Sequence, residues 1–150
     1  MTDAFWRPDR HADRRPLLLA RGRVKAALRG WFAAQDFLEV ETGAVQASPG
    51  NETHLHGFAV LWRPDDGAEQ TRYLVTSPEF AMKKLLAAGE TRIVDFARVW
   101  RNGELGPLHS PEFTMVEWYR AGAGWTCVMD DAVELCRAAL AATGHDALAW

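Results

Sequence analysis

The strand-like segments in the middle of this chain are joined by short connections, and this feature most limits the possible folds. Residues 58–62 and 72–76 are separated by the turn-rich run Pro64-Asp65-Asp66-Gly67, and residues 93–100 and 113–119 by a loop over 102–112. Parallel strands need longer crossovers, so most of the sheet is predicted to be antiparallel. Apolar periodicity predicts helices over 17–35, from Ser77 to Gly89 and from about Thr126 to Gly144. The predicted class is α+β, a mostly antiparallel sheet flanked by helices.

Composition separates a terminal arm from one domain. Residues 1–16 are rich in Arg, Asp and Pro and are predicted to form a flexible arm, while residues 17–150 form one domain. The net charge of −3 argues against a general nucleic-acid surface. The only apolar run near the start, Leu17 to Ala20, is too short for a signal peptide or a membrane span. We therefore expect a soluble, cytoplasmic protein with no membrane partner.

The residues that commonly bind metals are poorly placed to do so. Cys127 and Cys136 lie nine residues apart in a predicted helix, so they point to nearly opposite faces and are expected to stay reduced. His54 and His56 stand in a predicted loop over 46–57 that offers no fixed third ligand. We expect no metal ligands within this chain.

The segment from Phe113 to Tyr119 carries the pattern most typical of a ligand site. On a single strand, Phe113, Met115, Glu117 and Tyr119 share one face, and the other face, with Thr114, Val116 and Trp118, is predicted to meet the core. The ring of Phe113 and the carboxylate of Glu117 would then lie roughly 13 Å apart, and the carboxylate and phenol roughly 7 Å apart. This spacing suits an extended ligand with a flat base at one end and a cation at the other.

Two cationic or polar groups in the preceding loop fit such a ligand. Arg101 offers the planar guanidinium fork that phosphate oxygens favour, and His109 adds a second donor. No Gly-x-Gly-x-x-Gly or phosphate-loop pattern is present, which argues against the usual nucleotide folds.

These residues resemble a known family. The run Phe-Thr-Met-x-Glu-Trp-Tyr, after Arg-Asn and His-x-Pro-Glu, resembles motif 2 of class II aminoacyl-tRNA synthetases in its lysyl form. Thr76–Glu79 and Met82–Leu86 resemble the segment before it, and residues 22–45 resemble motif 1, which lies at the dimer interface of class II enzymes. The Glu-Trp-Tyr-Arg ending and the absence of an N-terminal anticodon-binding domain resemble the elongation-factor-P lysyltransferases more than true lysyl-tRNA synthetases.

The resemblance implies a role for each matching residue. Arg101 would be catalytic, neutralising the α-phosphate of ATP as the amino-acid carboxylate attacks it. Phe113 would stack on adenine, Glu79 would pair with the α-amino group, and Glu117 and Tyr119 would lie near the distal ammonium. The full ATP-binding set would be Arg101, Asn102, Gly103, Glu104, His109, Ser110 and Phe113. The substrate-binding set would be Ser77, Pro78, Glu79, Glu117 and Tyr119.

The implied reaction is ATP-dependent activation of lysine or β-lysine and its transfer to a lysine of elongation factor P. Two alternatives remain, lysine–tRNA ligation and a non-catalytic ligand-binding or dimerising module. Magnesium would assist, and its ligands are expected in a C-terminal part containing motif 3, because the chain is expected to stop before that motif. A homodimer through motif 1 is implied, whereas tRNA is disfavoured as a partner.

The sequence departs from the family pattern at three positions. Gly103 stands where the family has Glu, so that Glu104 comes one residue later and would reach the nucleotide only if the loop bulges. Ser110 stands where Asn is common, and Gly43 replaces the proline that usually closes motif 1.

Overall fold

The computed structural model describes residues 4–65 and 67–144. Within that part, the chain forms three helices, α1 (Pro8–Ala34), α2 (Glu79–Ala87) and α3 (Trp125–Thr143). Its strands are β1 (Leu38–Glu39), β2 (Val45–Gln46), β3 (Phe58–Trp62), β4 (Gln70–Leu74), β5 (Arg92–Asp95), β6 (Arg98–Trp100), β7 (Glu112–Thr114) and β8 (Glu117–Arg120). The chain divides into two units. The segments up to Asp36 and from Ala123 onward form the first, and Phe37–Gly122 forms the second.

The first unit is a pair of helices, α1 and α3. Helix α1 begins at Pro8, inside the stretch predicted as an arm, because a proline at the first helical position and Asp9 in the first turn favour helix initiation. Helix α3 ends at Gly144, whose φ of 78° is left-handed, so the end predicted from the sequence is confirmed. The Arg23 side chain donates a hydrogen bond to the Ala142 carbonyl, 3.1 Å away, and links the two helices. No helix in the described part of the chain has an apolar stretch long enough to cross a bilayer.

The second unit contains small, mostly antiparallel sheets. Strands β2, β4 and β3 form one antiparallel sheet in that order, which confirms the hairpin predicted around Pro64–Gly67. A second sheet has the order β1-β5-β8, with β1 parallel to β5 and β8 antiparallel to it. Strands β6 and β7 form an antiparallel hairpin. The mixed α and β content with antiparallel sheets agrees with the predicted class.

Two long strands predicted from the sequence are each interrupted. Residues 93–100 form β5 and β6, and residues 113–119 form β7 and β8. The pairing keeps one register across the break, with Asp95 opposite Glu117 and Arg98 opposite Thr114. The buried carboxylate of Asp95 lies at the break, where its Oδ2 accepts hydrogen bonds from the Thr42 backbone N–H (3.1 Å) and hydroxyl (2.7 Å).

Both faces of the 113–119 segment are partly buried, not only the face predicted to meet the core. Phe113 and Met115 pack against the buried cluster of Val75, Ala97 and Val99. Thr114, Val116 and Trp118 are only half-buried. The face that carries Phe113 therefore also contributes to the core, because the partner of Phe113 in the hairpin is the buried Val99 of β6.

Helix α2 begins at Glu79, one residue later than expected from Ser77 as its N-cap. Pro78 is the N-cap and Glu79 the first helical residue, although the Ser77 hydroxyl still accepts a hydrogen bond from the Glu79 N–H at 3.1 Å. Gly89, with a φ of 113°, follows the helix as predicted. Met82 on this helix is fully buried, so α2 is fixed to the unit and holds Ser77, Pro78 and Glu79 in place.

Candidate functional site

The loop between β6 and β7 forms the wall of a groove of about 690 Å³. All the predicted ATP-contacting residues except Asn102 line this groove, together with two exposed leucines, and the complete lining is Arg101, Gly103, Glu104, Leu105, Leu108, His109, Ser110 and Phe113. The antiparallel hairpin explains this grouping, since β6 and β7 hold the two ends of the loop side by side. The groove is large enough for a nucleotide-sized ligand.

Arg101 stands at the base of the groove with its charge uncompensated. Its guanidinium lies 5.2 Å from the centre of the Phe113 ring, and its Nε donates a long hydrogen bond (3.4 Å) to the Thr76 carbonyl. Among residues 4–65 and 67–144, no carboxylate forms an ion pair with it. Arg98, three residues earlier, does pair with Glu112. A half-buried arginine that carries no carboxylate partner is suited to binding an anionic ligand.

The loop bulges where the sequence departs from the family pattern. Gly103 has a φ of 83°, a left-handed conformation that favours glycine, and Glu104 after it is half-buried and lines the groove. The turn therefore meets the condition under which Glu104 was expected to reach the ligand. The backbone N–H of Asn102 is already used, because it donates to the His56 carbonyl at 2.6 Å.

A hydrogen-bonded cluster joins three of the predicted substrate residues. The Ser77 hydroxyl donates to Glu117 Oε2 at 2.7 Å, and the Tyr119 hydroxyl donates to Glu117 Oε1 at 2.6 Å. Burial, reinforced by the hydrogen bond to Glu117, raises the pKa of Tyr119 well above its ordinary value. The phenol therefore stays protonated as a donor, and Glu117 is held as a carboxylate fixed at both oxygens.

A second cavity, of about 340 Å³, opens beside this cluster. It is lined by Gly50, Asn51, Glu52, Ser77, Glu79 and Phe80. Glu79 accepts a hydrogen bond from Lys83 on the same helix, and this bond and the charge of Glu79 raise the pKa of Lys83. Pro78 is fully buried, so it supports its two neighbours from beneath.

Several residues at these cavities were missed by the sequence analysis. Leu105 and Leu108 flank the groove, and Gly50, Asn51 and Glu52 line the second cavity. The only sequence signal for the latter group was the turn-rich composition of the loop over 46–57, which does not show where a loop packs. Within the described residues there is no group of three or more His, Cys, Asp or Glu side chains arranged to hold a metal.

The family comparison agrees with the resemblance found in the sequence. A family model described as tRNA synthetases class II (D, K and N) matches residues 5–147, and the chain belongs to this family. The match begins inside the segment predicted as an arm, where α1 starts.

The names of similar curated proteins are more specific than the description of the family. The chain is 40% identical over 121 residues to the elongation factor P–(R)-β-lysine ligase of Avibacterium paragallinarum, which covers 80% of this chain and 37% of that protein. The ligases of the same name from Vibrio cholerae (39% over 132 residues, 87% and 40%) and Erwinia tasmaniensis (45% over 104 residues, 69% and 32%) are also similar. The chain spans 40% or less of the length of these three relatives.

Proposed function

We propose that this chain binds ATP and a cationic amino acid, lysine or β-lysine, next to each other and activates the amino acid as an adenylate. The acceptor we propose is a lysine of elongation factor P, which the names of the similar ligases include. The observation that carries the proposal is the pairing of two features in the second unit. One is the groove in which Arg101, beside Phe113, forms no ion pair with any described residue, and the other is the carboxylate cluster around Ser77.

The groove supports the nucleotide half of the proposal. Phe113 presents a ring on which adenine can stack, and the Arg101 guanidinium, 5.2 Å from the centre of that ring, offers donors to phosphate oxygens in the same groove. His109 and Ser110 line the same groove and offer further donors. ATP is therefore the ligand whose shape and charge these side chains fit.

The carboxylate cluster supports the amino-acid half. Each oxygen of Glu117 accepts one hydroxyl hydrogen bond, and a carboxylate has further lone pairs with which to accept from an ammonium group. Tyr119 and Ser77 donate to Glu117 and keep it oriented. An amino acid with a terminal ammonium satisfies this arrangement, whereas an apolar side chain would leave the carboxylate without a counter-charge.

The proposed chemistry needs no general base, because the nucleophile is already ionised. A carboxylate oxygen of the amino acid attacks the α-phosphorus of ATP, the bond to the bridging oxygen breaks, and pyrophosphate leaves. In the second step, the lysine amine of the acceptor attacks the acyl carbon, AMP leaves and the amine loses a proton. Arg101 offsets the repulsion between the two anions, and its placement before reaction supplies charge stabilisation without reorganisation.

ATP–pyrophosphate exchange tests the proposal directly. The 150-residue chain is incubated with ATP, labelled pyrophosphate and either lysine or (R)-β-lysine, and we expect label in ATP only when one of these amino acids is present. A folded chain that binds ATP and the amino acid without exchange would support the non-catalytic module instead. Binding of neither ligand would contradict the proposal. Charging of elongation factor P against tRNA then distinguishes the ligase from a lysyl-tRNA synthetase.

Replacing Glu117 by glutamine is expected to weaken lysine binding by about tenfold to a hundredfold. The substitution removes the counter-charge of the distal ammonium, and hydrogen bonds to charged groups contribute about 1.5–3 kcal/mol. Isothermal titration with lysine measures the change, and ATP affinity serves as the internal control because Arg101 and Phe113 are untouched. Unchanged lysine affinity would remove Glu117 from the substrate site.

A further inference from the structure

The loop between β2 and β3 brings a carboxylate to the amino-acid cavity that the substrate-binding set does not include. Glu52 lines the cavity of about 340 Å³ together with Ser77 and Glu79. It therefore lies at the end of the substrate site that contains the start of α2. Glu117 and Tyr119 belong to the neighbouring strand β8.

Glu52 differs from the two other carboxylates of the site in having no partner. Glu79 accepts from the Lys83 ammonium, and both oxygens of Glu117 accept from hydroxyls. Across residues 4–65 and 67–144, no side chain or backbone N–H donates to the Glu52 carboxylate. It is thus the carboxylate with its full charge available to an incoming cation.

The position of Glu52 is set by contacts on both sides of it. The Thr76 N–H and hydroxyl both donate to the Pro49 carbonyl, each at 2.9 Å, and the Leu55 N–H donates to the Glu52 carbonyl at 3.1 Å. Further along, the Asn102 N–H donates to the His56 carbonyl. The loop is therefore fastened to the strand that leads into α2 and to the wall of the nucleotide groove.

A glycine allows the Glu52 carboxylate to fold back over this loop. A Cβ atom at Gly50 would stand 2.7 Å from Glu52 Oε2 and 2.5 Å from the Thr76 hydroxyl oxygen, closer than real Cβ atoms come. Any larger residue at position 50 would have to displace the carboxylate or the Thr76 hydroxyl that anchors the loop. The absence of a side chain at Gly50 thus leaves room for the Glu52 carboxylate where it stands.

We propose that Glu52 is a specificity-determining residue that binds the ammonium group nearest the carboxylate of the substrate. The proposal rests on the function proposed above, in which Glu117 takes the distal ammonium. The resemblance implied Glu79 as the partner of this ammonium, but Lys83 already pairs with Glu79, so the unshared charge at this end of the cavity belongs to Glu52. The substrate class is therefore an amino acid with two separated ammonium groups, one for each carboxylate.

Two truncated analogues of lysine test this assignment. Norleucine keeps the α-ammonium and lacks the distal one, whereas 6-aminohexanoate keeps the distal ammonium and lacks the other. For Glu52→Gln in the 150-residue chain, we expect the dissociation constants of lysine and norleucine to rise about twofold to fivefold. This range reflects the exposure of Glu52, since exposed ion pairs contribute only up to about 1 kcal/mol. The affinity for 6-aminohexanoate should not change.

The matched control is Glu90→Gln, which changes an exposed carboxylate in the turn after α2. It should leave all three affinities as they are, and thermal melting of both variants checks that the fold is retained. Equal losses for all three ligands, or no loss for any of them, would overturn the role of Glu52 while the proposed function stands. A wild-type chain that binds neither ATP nor lysine overturns both proposals.

Discussion

Replacing Arg101 by alanine is expected to lower the affinity of the chain for ATP by about tenfold to a hundredfold. The guanidinium has no carboxylate partner in the described part of the chain, so its donors are available to phosphate oxygens. Hydrogen bonds to charged groups contribute about 1.5–3 kcal/mol, which corresponds to this range. The substitution leaves no buried charge behind, because the Thr76 carbonyl loses only a long contact of 3.4 Å. The fold should therefore be retained.

A nucleotide series shows which phosphate Arg101 contacts. Titration calorimetry with ATP, AMP and adenosine should show a similar loss for ATP and AMP if the contact is to the α-phosphate, and no loss for adenosine. Arg98→Ala is the matched control, since Arg98 lies three residues earlier, on β6, and already forms an ion pair with Glu112. A loss of the same size with adenosine would place Arg101 against the base, and unchanged ATP affinity would remove it from the nucleotide site.

The nucleotide groove was predictable because its residues are close in sequence. One hairpin supplies the complete lining, from Arg101 to Phe113, so the spacing of an arginine, a turn-rich loop and an aromatic residue was enough to group them. Glu104 was expected to reach the nucleotide only through a bulge; it lines the groove after Gly103, whose φ is positive, and its contact with a nucleotide stays a prediction.

The break in the two long strands was not predictable from local sequence. An apolar, alternating run looks the same whether or not the strand is continuous. The break coincides with Asp95, and the carboxylate of that residue is satisfied by Thr42, 53 residues away in sequence. Hydrogen bonds over such separations exist only in the folded chain, so the sequence pattern contains no signal for them.

Glu52 was missed for a related reason. An exposed glutamate in a polar loop has the sequence character of an ordinary solvated residue. Its relevance depends on the loop being held by Thr76 through the Pro49 carbonyl, a contact between residues 27 positions apart. The resemblance to the family motifs identified the site residues on β8 and at the start of α2. The contribution of the loop between β2 and β3 follows from tertiary contacts instead.

The largest effect on stability is expected from Ile93→Ala, at about 2–5 kcal/mol of unfolding free energy. Ile93 is in the central strand of the β1-β5-β8 sheet and is completely buried, so truncation removes buried methylene and methyl groups and leaves a cavity. Tyr119, a member of the substrate cluster, is its direct partner in register on β8. A partial collapse around the cavity would therefore also move the phenol that orients Glu117.

Leu38→Ala is the matched control for this prediction. Leu38 is the partner of Ile93 on the other side, in β1, but its side chain is 51% exposed, so its truncation should cost about 1 kcal/mol or less. Urea unfolding followed by tryptophan fluorescence gives both free energies, and the difference between the two variants separates burial from strand position. If both variants lost the same amount, the packing of Ile93 would not be what stabilises this sheet. Weaker lysine binding by the Ile93 variant, under conditions where it remains folded, would show that the core of the sheet positions the substrate cluster.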